Sequence, residues 1–185
     1  MGKDFMAFTY ELAAKCGPYD EAPVLPDNLD IQLTLSRNDR VQPFHLICEH
    51  DTVIVAMSGS GRIEFKESSV LHENYALGDV VYVPAGVPHR IIPSEESIHH
   101  RFKLPESKVE GLAWYCEICG QEVHRDVWSL VESTPQEGYF RACRAFNGDA
   151  ELRRCNACSA EHTKLELEGY RWEEVVEEQR KAATK

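Results

Sequence analysis

Seven cysteines and eight histidines are the chemically distinctive part of this 185-residue chain. Four of the cysteines form two matching pairs, Cys116-Glu117-Ile118-Cys119 and Cys155-Asn156-Ala157-Cys158. A two-residue spacer lets both thiolates of a pair face one ion, and two such pairs supply a tetrahedral four-sulfur shell. Zinc and mononuclear iron both suit four thiolates, so Fe or Zn is expected there. With no open coordination position, that site is expected to be structural or electron-relaying. Cys16, Cys48 and Cys143 belong to no motif and read as small buried or surface thiols.

A second set of ligand-type residues lies earlier in the chain. His45 sits in Arg40-Val41-Gln42-Pro43-Phe44-His45-Leu46-Ile47-Cys48-Glu49-His50-Asp51-Thr52. His89 follows Gly78-Asp79 and Pro84-Ala85-Gly86, turns that pin the two ends of a strand and aim His89 into whatever the sheet encloses.

These residues need a scaffold of short strands. Asp30–Ser36 alternates with period two, Thr52–Met57 is an almost unbroken apolar run, and Arg62–Lys66 alternates again. The Ser58-Gly59-Ser60-Gly61 turn predicts a hairpin between the last two. Leu77–Gly86 is a strand between tight turns, and Ile98–Leu104 closes the series. Strands at this spacing, with no helical period between them, describe an antiparallel sandwich or barrel. Residues 1–20 read as a short helix ended by Gly17-Pro18, followed by a Pro-broken linker. The tail after Trp172 reads as a solvated helix or frayed end.

Charged residues at 28% and hydrophobic ones at 43% fit a folded globular chain. A net charge of −11 argues against nucleic acid as a partner. No run is long enough to span a bilayer. The opening residues show no secretory pattern, and the residues after Gly2 do not supply a myristoylation signal, so a cytoplasmic location is expected.

The turn-strand-turn-His89 segment resembles the second motif of a cupin, and His45–Gly59 resembles an altered first motif. A cupin followed by Trp114-Tyr115-Cys116-Glu117-Ile118-Cys119-Gly120 and Arg153-Arg154-Cys155-Asn156-Ala157-Cys158 is similar to the bacterial and fungal 3-hydroxyanthranilate 3,4-dioxygenase family. The resemblance runs from about Asp30 to His162. It implies an all-β cupin barrel (28–110) after an N-terminal helix and linker (1–27), then a rubredoxin-like metal-binding region (111–172) and a charged tail (173–185). It also implies a homodimer and an O₂-using, ring-cleaving oxygenase for a small aromatic or amino-acid-derived substrate.

In that family an Arg, a His, a Glu and a second His build the iron site. Arg40, His45 and His89 fall at the first, second and fourth of these. The Glu position is Asp51 counting forward from His45, and Thr52 counting back from Ser58-Gly59. Asp51 could complete the two-His-one-carboxylate face that suits non-haem Fe(II), and His50, one residue earlier, could instead give a three-His site. Arg101 falls near a substrate-contacting Glu of the family, with its charge reversed, and so becomes a candidate substrate contact beside Arg40. Two other functions remain open at this point. One is Zn or Ni acting as a Lewis acid, and the other is a small-molecule binder that has lost the cupin metal.

Overall fold

The computed structural model describes residues 7–25 and 29–183, with side chains described as far as 181. The expected start of the first helix at 1–6, with Gly2, lies outside the described residues, as does part of the linker at 26–28. Helix α1 (Thr9–Ala13) precedes β1 (Ala22–Pro23), β2 (Gln32–Asn38), β3 (His45–Cys48), β4 (Thr52–Ser58), β5 (Gly61–Phe65) and β6 (His72–Tyr75). Then come β7 (Val80–Val83), β8 (His89–Pro93), β9 (Ser97–Lys103), β10 (Val109–Tyr115) and β11 (Glu122–Ser129), and the helices α2 (Pro135–Gly148) and α3 (Trp172–Ala183).

Two antiparallel sheets face each other, in the orders β1-β2-β9-β4-β7 and β11-β10-β3-β8-β5-β6. This is the cupin-type barrel that the resemblance implied. Alternation along each strand decides what is inside. Thr52, Ile54 and Ala56 of β4 are buried, as are Ile63 and Phe65 of β5, and Val81 and Val83 of β7. Strand β10 runs straight through the expected boundary at 110/111 and pairs with β3 in the barrel sheet.

The expected hairpin at Ser58–Gly61 does not form. β4 pairs with β7 and β9, whereas β5 pairs with β6 and β8, so the turn carries the chain from one sheet to the other. Gly59 has φ +72, and a Cβ there would meet the Glu96 carbonyl oxygen at 2.4 Å. A short Gly-Ser turn specifies a sharp change of direction but not which strands pair across it.

Helix α2 packs against β10, β11 and α3. Thr134 and Glu137 form a reciprocal capping box that starts α2, with Pro135 in its first turn. Gly138 lets α2 lie against Trp128, where a Cβ would come within 2.1 Å of the ring. Trp172 opens α3, is buried, and packs on Phe44, Tyr139 and Tyr170. Its indole N–H donates to the Tyr19 carbonyl at 3.0 Å, tying in the N-terminal segment. The C-terminal tail is therefore a packed helix at its start, anchored by Trp172 and the buried Val176, rather than frayed.

Candidate functional site

Register decides which of the expected ligands can meet. Residues directly opposite each other in a ladder present their side chains on the same face, and neighbours along a strand present opposite faces. His89 pairs with Leu46, not His45, and also with Phe65. Leu46, Phe65 and His89 therefore face the barrel interior, and all three are buried. His45 pairs with Ala113 and faces the other way, where its Nε2 lies 3.9 Å from Glu64 Oε1. The two histidines are on opposite faces of one sheet and share no centre.

The same parity sorts the other candidates. Thr52 is buried and pairs with Val83, so it occupies the interior position at the start of β4. Asp51 is exposed and accepts a hydrogen bond from the Ala85 amide at 2.9 Å. His50 lies beside Glu49, 4.0 Å away. A separation of six residues that begins at His45 ends at Asp51; beginning one residue later it runs from Leu46 to Thr52. The sheet follows the second frame. At the three interior positions stand Leu46, Thr52 and His89, so the expected set of His45, His50 or Asp51, and His89 is not assembled.

Charged side chains fill the space beside His89. The His89 Nδ1–H donates to the Val87 carbonyl at 3.1 Å, which leaves its Nε2 lone pair to accept from Arg101 Nη1 at 2.7 Å. Arg101 is 1% exposed, and its Nε lies 3.4 Å from Glu21. Lys103 and Glu110 form a second buried ion pair. Burial, followed by the Arg101 charge, holds the His89 pKa well below the ordinary histidine value. Burial opposes ionisation of Glu21, but Arg101, Lys103 and the Thr34 hydroxyl outweigh it and keep the carboxyl below its usual range. His99 is also interior, hydrogen-bonded to Asn38 at 2.6 Å, and burial pushes its pKa down to about 3. His99 faces inward because Ala56, opposite it in β4, is an interior position.

Three members of this cluster escaped the sequence reading: Glu21, Lys103 and Glu110. Period-two alternation placing Lys103 on the same face as Arg101 was the available signal. Glu21 had none, since its approach depends on Tyr19 and Glu21 both adopting positive φ (55° and 50°).

On the outer face, His45 packs edge-on against Tyr115 with ring centroids 4.9 Å apart. Burial lowers its pKa, so it is held neutral. Beside it, Glu64 is paired with Lys66 at 3.0 Å and Arg90 at 3.0 Å. His45 first, then Lys66 and Arg90, hold the Glu64 carboxyl far below its usual range against the opposing effect of burial. Arg40 is also outside the barrel, donating to the Glu168 carbonyl at 2.7 Å and to Asp39 at 2.7 Å.

The cysteine pairs behave differently. Cys116, Cys119, Cys155 and Cys158 have their sulfurs all within 4.8 Å of one another. Cys116 and Cys158 are 3.6 Å apart, and Cys119 and Cys155 are 3.5 Å apart. A tetrahedral shell with metal–sulfur bonds of about 2.3 Å has edges of about 3.8 Å, so the donors fit. Each pair is shaped by a small turn. The Gly120 amide donates to the Cys116 carbonyl at 2.8 Å, and the Ser159 amide donates to the Cys155 carbonyl at 2.8 Å. Both Gly120 and Ser159 have positive φ, so the two turns have the same form. Backbone amides aimed at Cys116 and Cys155 lower both pKa values, that of Cys116 to about 7, while desolvation and the neighbouring sulfurs of the crowded cluster push Cys119 and Cys158 up.

No protein-family model matches the chain. A curated 3-hydroxyanthranilate 3,4-dioxygenase from Yarrowia lipolytica is 30% identical over 125 residues, covering 65% of this chain and 67% of that protein. The chain belongs to the 3-hydroxyanthranilate 3,4-dioxygenase family. The Burkholderia cenocepacia protein of the same name is 32% identical over 107 residues, 55% of this chain. There the match spans about half of the relative, 52% of its length. A solved structure of a cupin-2 domain protein from Shewanella frigidimarina is 19% identical, covering 54% of this chain and 94% of that one, with a TM-score of 0.46.

Membership in a dioxygenase family implies a barrel iron, and the donors here do not fit one. Leu46 offers no lone pair and Thr52 only a neutral hydroxyl. The remaining imidazole lone pair is hydrogen-bonded to a guanidinium that already has a buried carboxylate partner. Among the described residues, the four cysteines are the one group of three or more His, Cys, Asp or Glu side chains close enough to share an ion.

Proposed function

We propose that this chain is a small-molecule-binding cupin within a dioxygenase family, with its metal at the four cysteines and none in the barrel. The observation that carries this reading is Arg101 Nη1 on His89 Nε2 at 2.7 Å, in the place where a metal ligand would need a free lone pair. Placing a divalent cation beside that guanidinium would break the Arg101–Glu21 pair and bring two cations together in a low-dielectric interior. The cysteine site, holding Fe or Zn, serves as a staple for the chain between β10 and α3.

A second reading is supported by kinship. It is a non-haem Fe(II) dioxygenase that uses O₂ on a 3-hydroxyanthranilate-like or amino-acid-derived substrate. Homodimerisation accompanies either reading on family resemblance. Among the described residues, no helix is long and apolar enough to cross a membrane.

Metal analysis after anaerobic iron loading, together with oxygen uptake on 3-hydroxyanthranilate, separates the two. We expect one metal per chain and no oxygen consumption. A second, iron equivalent with substrate-dependent oxygen uptake would overturn the binder reading in favour of the dioxygenase. Zinc at two equivalents would overturn it in favour of Lewis-acid chemistry.

A further inference from the structure

The outer faces of the two sheets are built from opposite kinds of residue. An antiparallel sheet packed on one side normally turns polar side chains to water on the other. The six-stranded sheet does so, with Arg62, Glu64 and Arg90 pointing outward from β5 and β8. The five-stranded sheet does not. One outward row across it reads Leu33, Phe102, Val53 and Tyr82, and the next reads Leu35, His100, Val55 and Val80. No Asp, Glu, Lys or Arg stands in either row, in a chain of net charge −11.

Helix α1 covers one corner of that face. Ala13 and Cys16 pack on Leu35 and Ile98, and the Tyr10 hydroxyl donates to the Met57 carbonyl at 2.8 Å. Beyond the helix, Val80 and Tyr82 are 64% and 56% exposed, and Leu33, Phe102, Val53 and Val55 are half-buried. A contiguous apolar surface of this kind marks an interaction site. Five strands about 4.8 Å apart, with runs of seven residues rising about 3.3 Å each, give a face of roughly 24 by 23 Å. Two such faces in contact bury on the order of 1,100 Å², above the roughly 1,000 Å² expected of a stable interface.

We infer that a second copy of this chain packs on this face, sheet against sheet about a two-fold axis. Two chains of charge −11 repel wherever charged surfaces meet, and this uncharged face brings them together at the least electrostatic cost. A two-fold axis makes one patch serve both copies, and apolar sheet faces stack about 10 Å apart. Edge-to-edge pairing is the competing arrangement. β6 and β7 each have one open edge, but each is four residues long, and β6 presents His72, Glu73 and Asn74 to solvent. Short, polar edges discourage strand addition. The inference deepens the homodimer reading above, and takes from it only the number of copies.

Sedimentation of the full chain with its metal in place should show a species of about twice the 21.1 kDa of one chain. Val80→Glu, at an exposed position, and Phe102→Glu, at the centre of the face, should each weaken self-association at least tenfold. Leu71→Glu, beside the β6 edge, and Ile118→Glu, in the first cysteine turn, change exposed apolar residues outside the face and should associate as the parent does. Circular dichroism and metal content should be unchanged in Val80→Glu, so that its loss of association reports the surface and not the fold. In the parent dimer, the open-edge amides of β6 and β7 should still exchange rapidly with solvent. A monomeric parent would overturn both this face and the homodimer reading. A dimer that persists in both face variants, or one that protects the edge amides and is lost in Leu71→Glu, would overturn the face alone and leave homodimerisation standing.

Discussion

The cysteine cluster and the barrel interior are the two places where this chain could hold a metal, and they have been treated oppositely. At the cysteines, each pair is a local turn whose sulfurs converge through short-range geometry, and the two turns have the same backbone form. In the barrel, the expected ligands come from different strands, and their convergence depends on which face each strand presents. There Leu46, Thr52 and Arg101 stand where donors or solvent-filled space would be needed, and Glu21 is brought in to neutralise Arg101. A local metal site persists if its turns persist. A site assembled across strands is lost through single side-chain changes that the fold tolerates.

The largest effect expected from breaking this comparison is at the cysteines. Cys116→Ser or Cys158→Ser should release the metal and lower Tm by on the order of 10 °C, because binding energy at such a site is folding energy. Metal analysis and thermal denaturation check both. Matching metal content and Tm in parent and variants would remove the distinction between the two regions.

Next is the interior pair. Arg101→Met leaves Glu21 buried without its partner and should cost about 3–5 kcal/mol. Adding Glu21→Gln to that variant should restore most of the loss, since a neutral pair needs no counter-charge. Urea unfolding of the single and double variants measures the coupling directly. A single variant as stable as the parent would mean that the guanidinium is not holding a buried carboxylate.

Smallest, and graded with pH, is the contribution of the interior histidines. The pKa values of His89 and His99 are both held below the ordinary value, His99 at about 3, so the unfolded chain takes up protons before the folded one does. Their stabilising contribution is therefore complete above about pH 6.5 and is lost as acid is added towards the folded values. The expected loss is on the order of 1 kcal/mol per histidine per pH unit between pH 6 and 4. His99→Gln should reduce the slope of stability against pH by about one histidine's share over that window. An unchanged slope would show that His99 titrates normally.

The strands and the cysteine cluster were legible in the sequence for physical reasons. Period-two alternation in β2 and β5 follows from the pleat, and the apolar run of β4 from its burial. Cys116–Cys119 and Cys155–Cys158 carry their ligand geometry within four residues. Trp172 was less legible, because a single anchoring indole does not alter the charged appearance of α3.

What the sequence determined by itself was therefore everything encoded within one strand or one turn: the β character, the paired cysteines, the acidic surface and the family. Only the tertiary structure decided that β4 and β5 part into different sheets, that Glu21 reaches Arg101, and that His45 and His89 face opposite ways. The reason is register. Because side chains alternate on a strand, a frame shifted by one residue exchanges the interior set for the exterior one. His45 with Asp51 and Leu46 with Thr52 are equally spaced, and only the pairing of Leu46 with His89 distinguishes them.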